Sequence, residues 1–75
     1  MNNNVRQIKF GNLETGSRFY YNENDPTGYE KIVPQSNKNG SSCPKCGIAG
    51  DQRMNAYDGK LRVHFCPDKI VIVRQ

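Results

Sequence analysis

At 75 residues and 35% hydrophobic, with seven glycines, four prolines and no tryptophan, the chain can build one small core and no second domain. A domain of this size buries only about 60% of the surface its unfolded chain exposes, so a metal or another staple is a standard supplement to its stability. Eleven Lys or Arg against seven Asp or Glu leave a formal +4, a surplus that favours acidic partners without choosing between nucleic acid and an acidic protein surface.

The predicted elements are almost all strands. Met1-Asn2-Asn3-Asn4 reads as a flexible start with no apolar signal-peptide core, and three cysteines are an awkward number for a disulfide framework, so a reducing cytoplasm is the expected location. Ile8 and Phe10 share a strand phase, and residues 11–16 supply turn chemistry. Residues 18–21 predict a short aromatic strand with Phe19 and Tyr21 on one side and Arg18 and Tyr20 on the other. After the strong turn signal at 22–28, a third strand spans 29–33 and is ended by Pro34. Residues 34–55 read as a long irregular loop, uncommon in a small domain unless something pins it. Asp58-Gly59 predicts a tight turn into a strand over 60–66, in which Leu61, Val63 and Phe65 enter the core while Arg62, His64 and Cys66 share the other face. Residues 67–69 separate this strand from a fifth at 70–73, an apolar run far too short to span a bilayer, so no membrane partner is expected. The expectation is a single mostly β domain over residues 1–75. Its form would be a small curled antiparallel sheet or an SH3- or OB-like barrel of about five strands, with a zinc-stapled central loop.

The staple is Cys43, Cys46, His64 and Cys66, a set that uses every cysteine and the single histidine. The pattern is C-x₂-C, seventeen residues, then H-x-C. Structural zinc takes four tetrahedral thiolate or imidazole ligands, and Cys₃His is an ordinary combination. Cys43-Pro44-Lys45-Cys46-Gly47 resembles the C-P-x-C-G knuckle of zinc ribbons and rubredoxin-like sites, in which the glycine allows a tight turn and amide groups face the thiolates. Three thiolates and one Zn²⁺ would bring the charge to about +3. The alternative is a chance cysteine pair, an inert Cys66 and a solvated His64. A thiol redox reading also exists, but C-P-x-C redox motifs follow a strand and open a helix, whereas this one sits between a polar loop and glycines. With the histidine assigned to metal, no Ser/His/Asp set can be assembled, and no glycine-rich phosphate loop precedes a helix, so the chain is expected not to be an enzyme.

Phe10-Gly11-Asn12-Leu13, Gly16, Phe19, Tyr29-Glu30-Lys31, Asn55-Ala56, Gly59, Phe65, Pro67-Asp68 and Val71 resemble a pattern of short phage and bacterial proteins of unassigned function. That pattern is F-x-D-L-x-x-G-x-x-F, Y-x-K, N-A, G and F-x-P-D. Asn12 stands in place of its Asp, and the Cys43 knuckle is an insertion into its central loop. The resemblance implies a small β-rich fold of phage or mobile-element type and no particular activity. By analogy with small phage proteins that redirect host enzymes, it points to an accessory regulator docking on a host protein, with RNA polymerase the first choice. Arg18 and Tyr20 are the expected anchors of such a contact. The second expectation is nucleic-acid binding through Lys45, Arg53, Lys60 and Arg62, with Tyr20, Tyr29 and Tyr57 as stacking surfaces interleaved with Lys31. These cations are scattered singly, with no Lys/Arg block to mark a dedicated nucleic-acid arm.

Overall fold

A computed structural model describes residues 5–74, so the expected flexible start at 1–4 lies outside the described residues. Six strands follow one another: β1 (Val5–Lys9), β2 (Arg18–Phe19), β3 (Tyr29–Gln35), β4 (Met54–Tyr57), β5 (Arg62–Val63) and β6 (Ile70–Arg74), with short 3₁₀ turns at Phe10–Asn12 and Gly50–Gln52. They form two antiparallel sheets, one of β1 and β6 and one in the order β2-β3-β4-β5. The sheets meet where Tyr20 and Ile72 exchange backbone bonds of 2.8 and 2.9 Å. The small antiparallel β fold is as expected, but it does not close into a barrel: among the described residues, β1 and β5 each keep an edge without a strand neighbour.

Aromatic packing explains why so few residues suffice. Phe19 is fully buried, and its ring centroid lies 5.2 Å from Phe10, 5.5 Å from Tyr29 and 5.0 Å from Phe65. Each such pair contributes about 0.5–1.5 kcal/mol beyond simple burial. Ala56 and Val71 complete the core, with Ile8, Leu13, Val63 and Val73 packed against it. No helix among the described residues is long and apolar enough to cross a membrane.

Several element boundaries differ from expectation. Phe10 leaves strand geometry for a 3₁₀ turn yet stays buried. Of the expected pair on strand 18–21, only Phe19 is interior; Tyr21 is 49% exposed. β3 runs through Pro34 to Gln35 because the ladder to β4 shifts register between Lys31 and Gln35, and a proline without an N–H is tolerated at such an irregularity. The loop 34–55 is shorter than read, since its end holds a 3₁₀ turn and the start of the unpredicted strand β4. The expected strand 60–66 contracts to Arg62–Val63, and Leu61 is 67% exposed at the hairpin tip instead of entering the core. Beyond Val63 the ladder is replaced by a side chain: Asn55 Nδ2 donates to the Phe65 carbonyl and Asn55 Oδ1 accepts the Phe65 N–H.

Candidate metal centre

The 43–47 segment folds as the knuckle its glycine implies. Gly47 has φ +78°, a left-handed conformation that only glycine adopts freely, and its N–H donates to the Cys43 carbonyl at 2.9 Å. The Cys43 N–H reaches Ile48 O at 3.0 Å and closes the turn. The loop carrying the knuckle is fastened to the stretch that leads into β4. Asn37 N–H donates to Gly50 O at 3.0 Å, and the Arg53 guanidinium donates to Ser41 and Ser42 carbonyls at 3.3 Å. A Cβ at Gly50 would run into the Gly40 carbonyl, so the two stretches of backbone meet only because residue 50 has none.

On the other side, the hairpin turn after β4 is set by Asp58, whose Oδ1 accepts the N–H groups of Lys60 and Leu61 at 2.8 Å each. The hairpin returns the chain past β5, and the Asn55 clamp on Phe65 then aims the residues on either side, His64 and Cys66, at the knuckle.

Cys43 Sγ, Cys46 Sγ, His64 Nε2 and Cys66 Sγ thus form one cluster, with all ligand atoms within 4.8 Å of one another. Cys43 Sγ and Cys66 Sγ are 3.7 Å apart, and His64 Nε2 lies 3.4 Å from Cys46 Sγ and 3.6 Å from Cys66 Sγ. A tetrahedral ion with bonds of about 2.3 Å to sulfur and 2.0–2.1 Å to nitrogen requires ligand–ligand edges of roughly 3.5–3.8 Å; these three edges lie close to that spacing, and the remaining pairs lie within 4.8 Å. No disulfide competes: all three cysteines are free. His64 Nδ1 is 2.7 Å from the Arg53 carbonyl, which assigns the proton to Nδ1 and leaves the Nε2 lone pair facing the thiols. The four predicted ligands are therefore brought together, although His64 and Cys66 sit past the end of β5 rather than on a continuous strand.

The thiols are unequal without a cation. The Cys46 N–H, aided by that of Lys45 and by the neighbouring thiols, outweighs burial and lowers Cys43 to about 6. Burial, with the other two sulfurs adding to it, pushes Cys66 up to about 11. A cation must displace the Cys66 proton, so binding releases protons to solvent.

The expected partner-contact residues separate into two groups. Lys31 and Arg53 face inward: Lys31 Nζ donates to the Phe10 and Leu13 carbonyls at 3.1 and 2.6 Å and lies 4.7 Å from the Phe10 ring centroid, and Arg53 holds the knuckle loop. Tyr20 is half-buried, with the Arg74 guanidinium carbon 3.8 Å from its ring centroid, and the exposed Arg18 donates to Thr27 O at 2.8 Å. Lys45, Lys60 and Arg62 are exposed. Sequence reading placed Asn55 only in the N-A element of the resemblance and gave it no role, and it missed Lys38, which the fold carries to the β4–β5 hairpin. Comparison with models of protein families, with curated proteins and with solved structures gives no match to this chain.

Proposed function

We propose that the protein is a non-enzymatic binding module whose Cys43, Cys46, His64 and Cys66 hold a structural zinc ion, and that it acts by surface contact with a macromolecule. The observation that carries this reading is the convergence of four candidate ligand atoms within 4.8 Å of one another, three of their separations being 3.4–3.7 Å. Four protein ligands close the shell of zinc, leaving no position for a substrate or an activated water. Sulfur-rich ligation with one imidazole suits zinc better than hard cations. Zinc here ties the long loop to the segment after β5, which supplies what a core this small lacks.

The phage-type resemblance makes host transcription machinery, RNA polymerase first, the partner to test. Arg18 and Tyr20 are the candidate anchors. The second reading, direct nucleic-acid contact, is favoured by a specific observation: Lys60 and Arg62 stand exposed on one hairpin, in a groove with no carboxylate among its lining side chains. Elemental analysis of untagged protein prepared without chelators should give about one zinc per chain. A pull-down from bacterial lysate with the zinc-loaded protein, repeated after nuclease, then separates the readings. A polymerase subunit retained after nuclease supports docking, and loss of all partners supports nucleic acid. Metal-free protein with unchanged melting would overturn the zinc staple.

A further inference from the structure

The open groove between the loop at residues 36–41 and the β4–β5 hairpin is lined by Lys38, Lys60 and Arg62, with Leu61 projecting between the last two. Its cations are free of partners among the described residues. Lys38, Lys60 and Arg62 are all exposed, and none has a hydrogen bond or ion pair from its side chain among the described residues. No carboxylate lines the groove, although the chain has seven. The nearest acid along the chain, Asp58, turns its Oδ1 onto the hairpin backbone. The cations come from two separate chain segments facing across a groove, an arrangement suited to tracking a polyanion rather than seating one small ion.

A stacking surface lies beside them. Tyr57 is the direct cross-strand partner of Arg62 and is 38% exposed; its hydroxyl donates to Gly59 O at 3.0 Å, which holds the ring in place. Directly opposed residues of an antiparallel pair share a face, so Tyr57 and Arg62 emerge on the same side of the sheet. Acidic peptides would use the cations alone. A flexible polyanion that also carries planar rings would use both, through phosphates on the cations and a base on the tyrosine. Glu30, opposite Tyr57 on β3, marks the acidic limit of this face.

We propose that this groove binds single-stranded nucleic acid, with Lys38, Lys60 and Arg62 on phosphates and Tyr57, outside the groove lining but across the ladder from Arg62, beneath a base. The inference rests on the binding-module reading and deepens its nucleic-acid form. Three phosphate contacts predict a slope of log affinity against log salt of about −2 for a single strand, or roughly a twentyfold loss between about 50 and 200 mM salt.

The test is fluorescence anisotropy of the zinc-loaded protein with a labelled oligothymidylate strand across a salt series. The expected result is saturable binding with that slope. The combined Lys38→Ala, Lys60→Ala, Arg62→Ala variant should abolish most of the salt dependence, and Tyr57→Leu should weaken binding by about tenfold while preserving the slope. Lys9→Ala removes a cation outside the groove and should change neither. An absence of binding at low salt, an unaffected triple variant, an equal effect of Lys9→Ala, or displacement of the strand by equimolar polyglutamate would each overturn the proposal. Zinc content is measured on every sample, so failure of the groove with zinc bound is distinguishable from failure of the metal site.

Discussion

Asn55 serves Phe65 as a surrogate strand. Its Oδ1 accepts the Phe65 N–H at 2.8 Å and its Nδ2 donates to the Phe65 carbonyl at 2.9 Å, with the asparagine itself only 5% exposed. The residue so gripped lies between two candidate metal ligands, His64 and Cys66, and its ring is part of the aromatic core. Asn55→Ala leaves both backbone groups without these partners and should destabilise the fold by about 2–4 kcal/mol. It should also weaken metal binding by about tenfold or more, because the ligands lose their support. Denaturant melts and a chelator-competition titration check the two effects.

His64 should occupy a single tautomer. The Arg53 carbonyl at 2.7 Å fixes the proton on Nδ1, so nitrogen-detected NMR of the loaded protein should find Nδ1 protonated and Nε2 metal-bound. A ring that titrates freely with metal still in place would remove His64 from the ligand set.

Metal removal should be the most damaging change to the molecule. Structural zinc contributes an apparent 10–16 kcal/mol, roughly, in small zinc-folded peptides, which exceeds the stability available to an ordinary domain of this size. Cys46→Ser keeps the volume of this exposed residue but removes a soft thiolate, and it should lose metal and cooperative melting together. Circular dichroism with and without chelator gives the readout.

Gly50→Ala tests the fastening of the long loop independently of the metal. The added methyl would collide with the Gly40 carbonyl, and because backbone rather than a flexible side chain blocks it, a loss of about 1–3 kcal/mol is expected. Ala at Gly47 is strained for a different reason, its positive φ.

Asp25 should give the fold an acid-sensitive component. Burial raises its carboxyl pKa, but the N–H groups of Tyr21, Gly28 and Thr27, with Arg74, outweigh that and hold it below the ordinary carboxylate value. A depressed folded pKa stabilises the protein above the unfolded value, about 3.9, and the contribution disappears as pH falls through the folded value. The turn is washed by solvent, so the effect should be about 1 kcal/mol or less. Melting of the native protein should decline below about pH 4 more steeply than that of Asp25→Asn, whose side chain carries no charge to lose.

What the sequence determined by itself is local. Turn chemistry placed the Asp58-Gly59 hairpin and the glycine of the Cys43–Gly47 knuckle, because those conformations depend on one or two residues and their immediate backbone. The candidate ligand set was legible because every cysteine and the single histidine of the chain belong to it. Alternation identified Phe65 as interior, but it carried Leu61 inward as well, since periodicity cannot tell where a ladder stops. Only tertiary structure decided that. Asn55 replaces the ladder at Phe65, and β4 emerges from a stretch with no strand signal of its own because β3 and β5 pair with it on either side. Tertiary structure also sorted the cations. Lys31 and Arg53 look in sequence like Lys60 and Arg62, but carbonyls contributed by remote segments draw the first two inward, while the hairpin leaves the others in water. Whether a charge is free depends on which distant acceptors reach it, and that is a property of the fold.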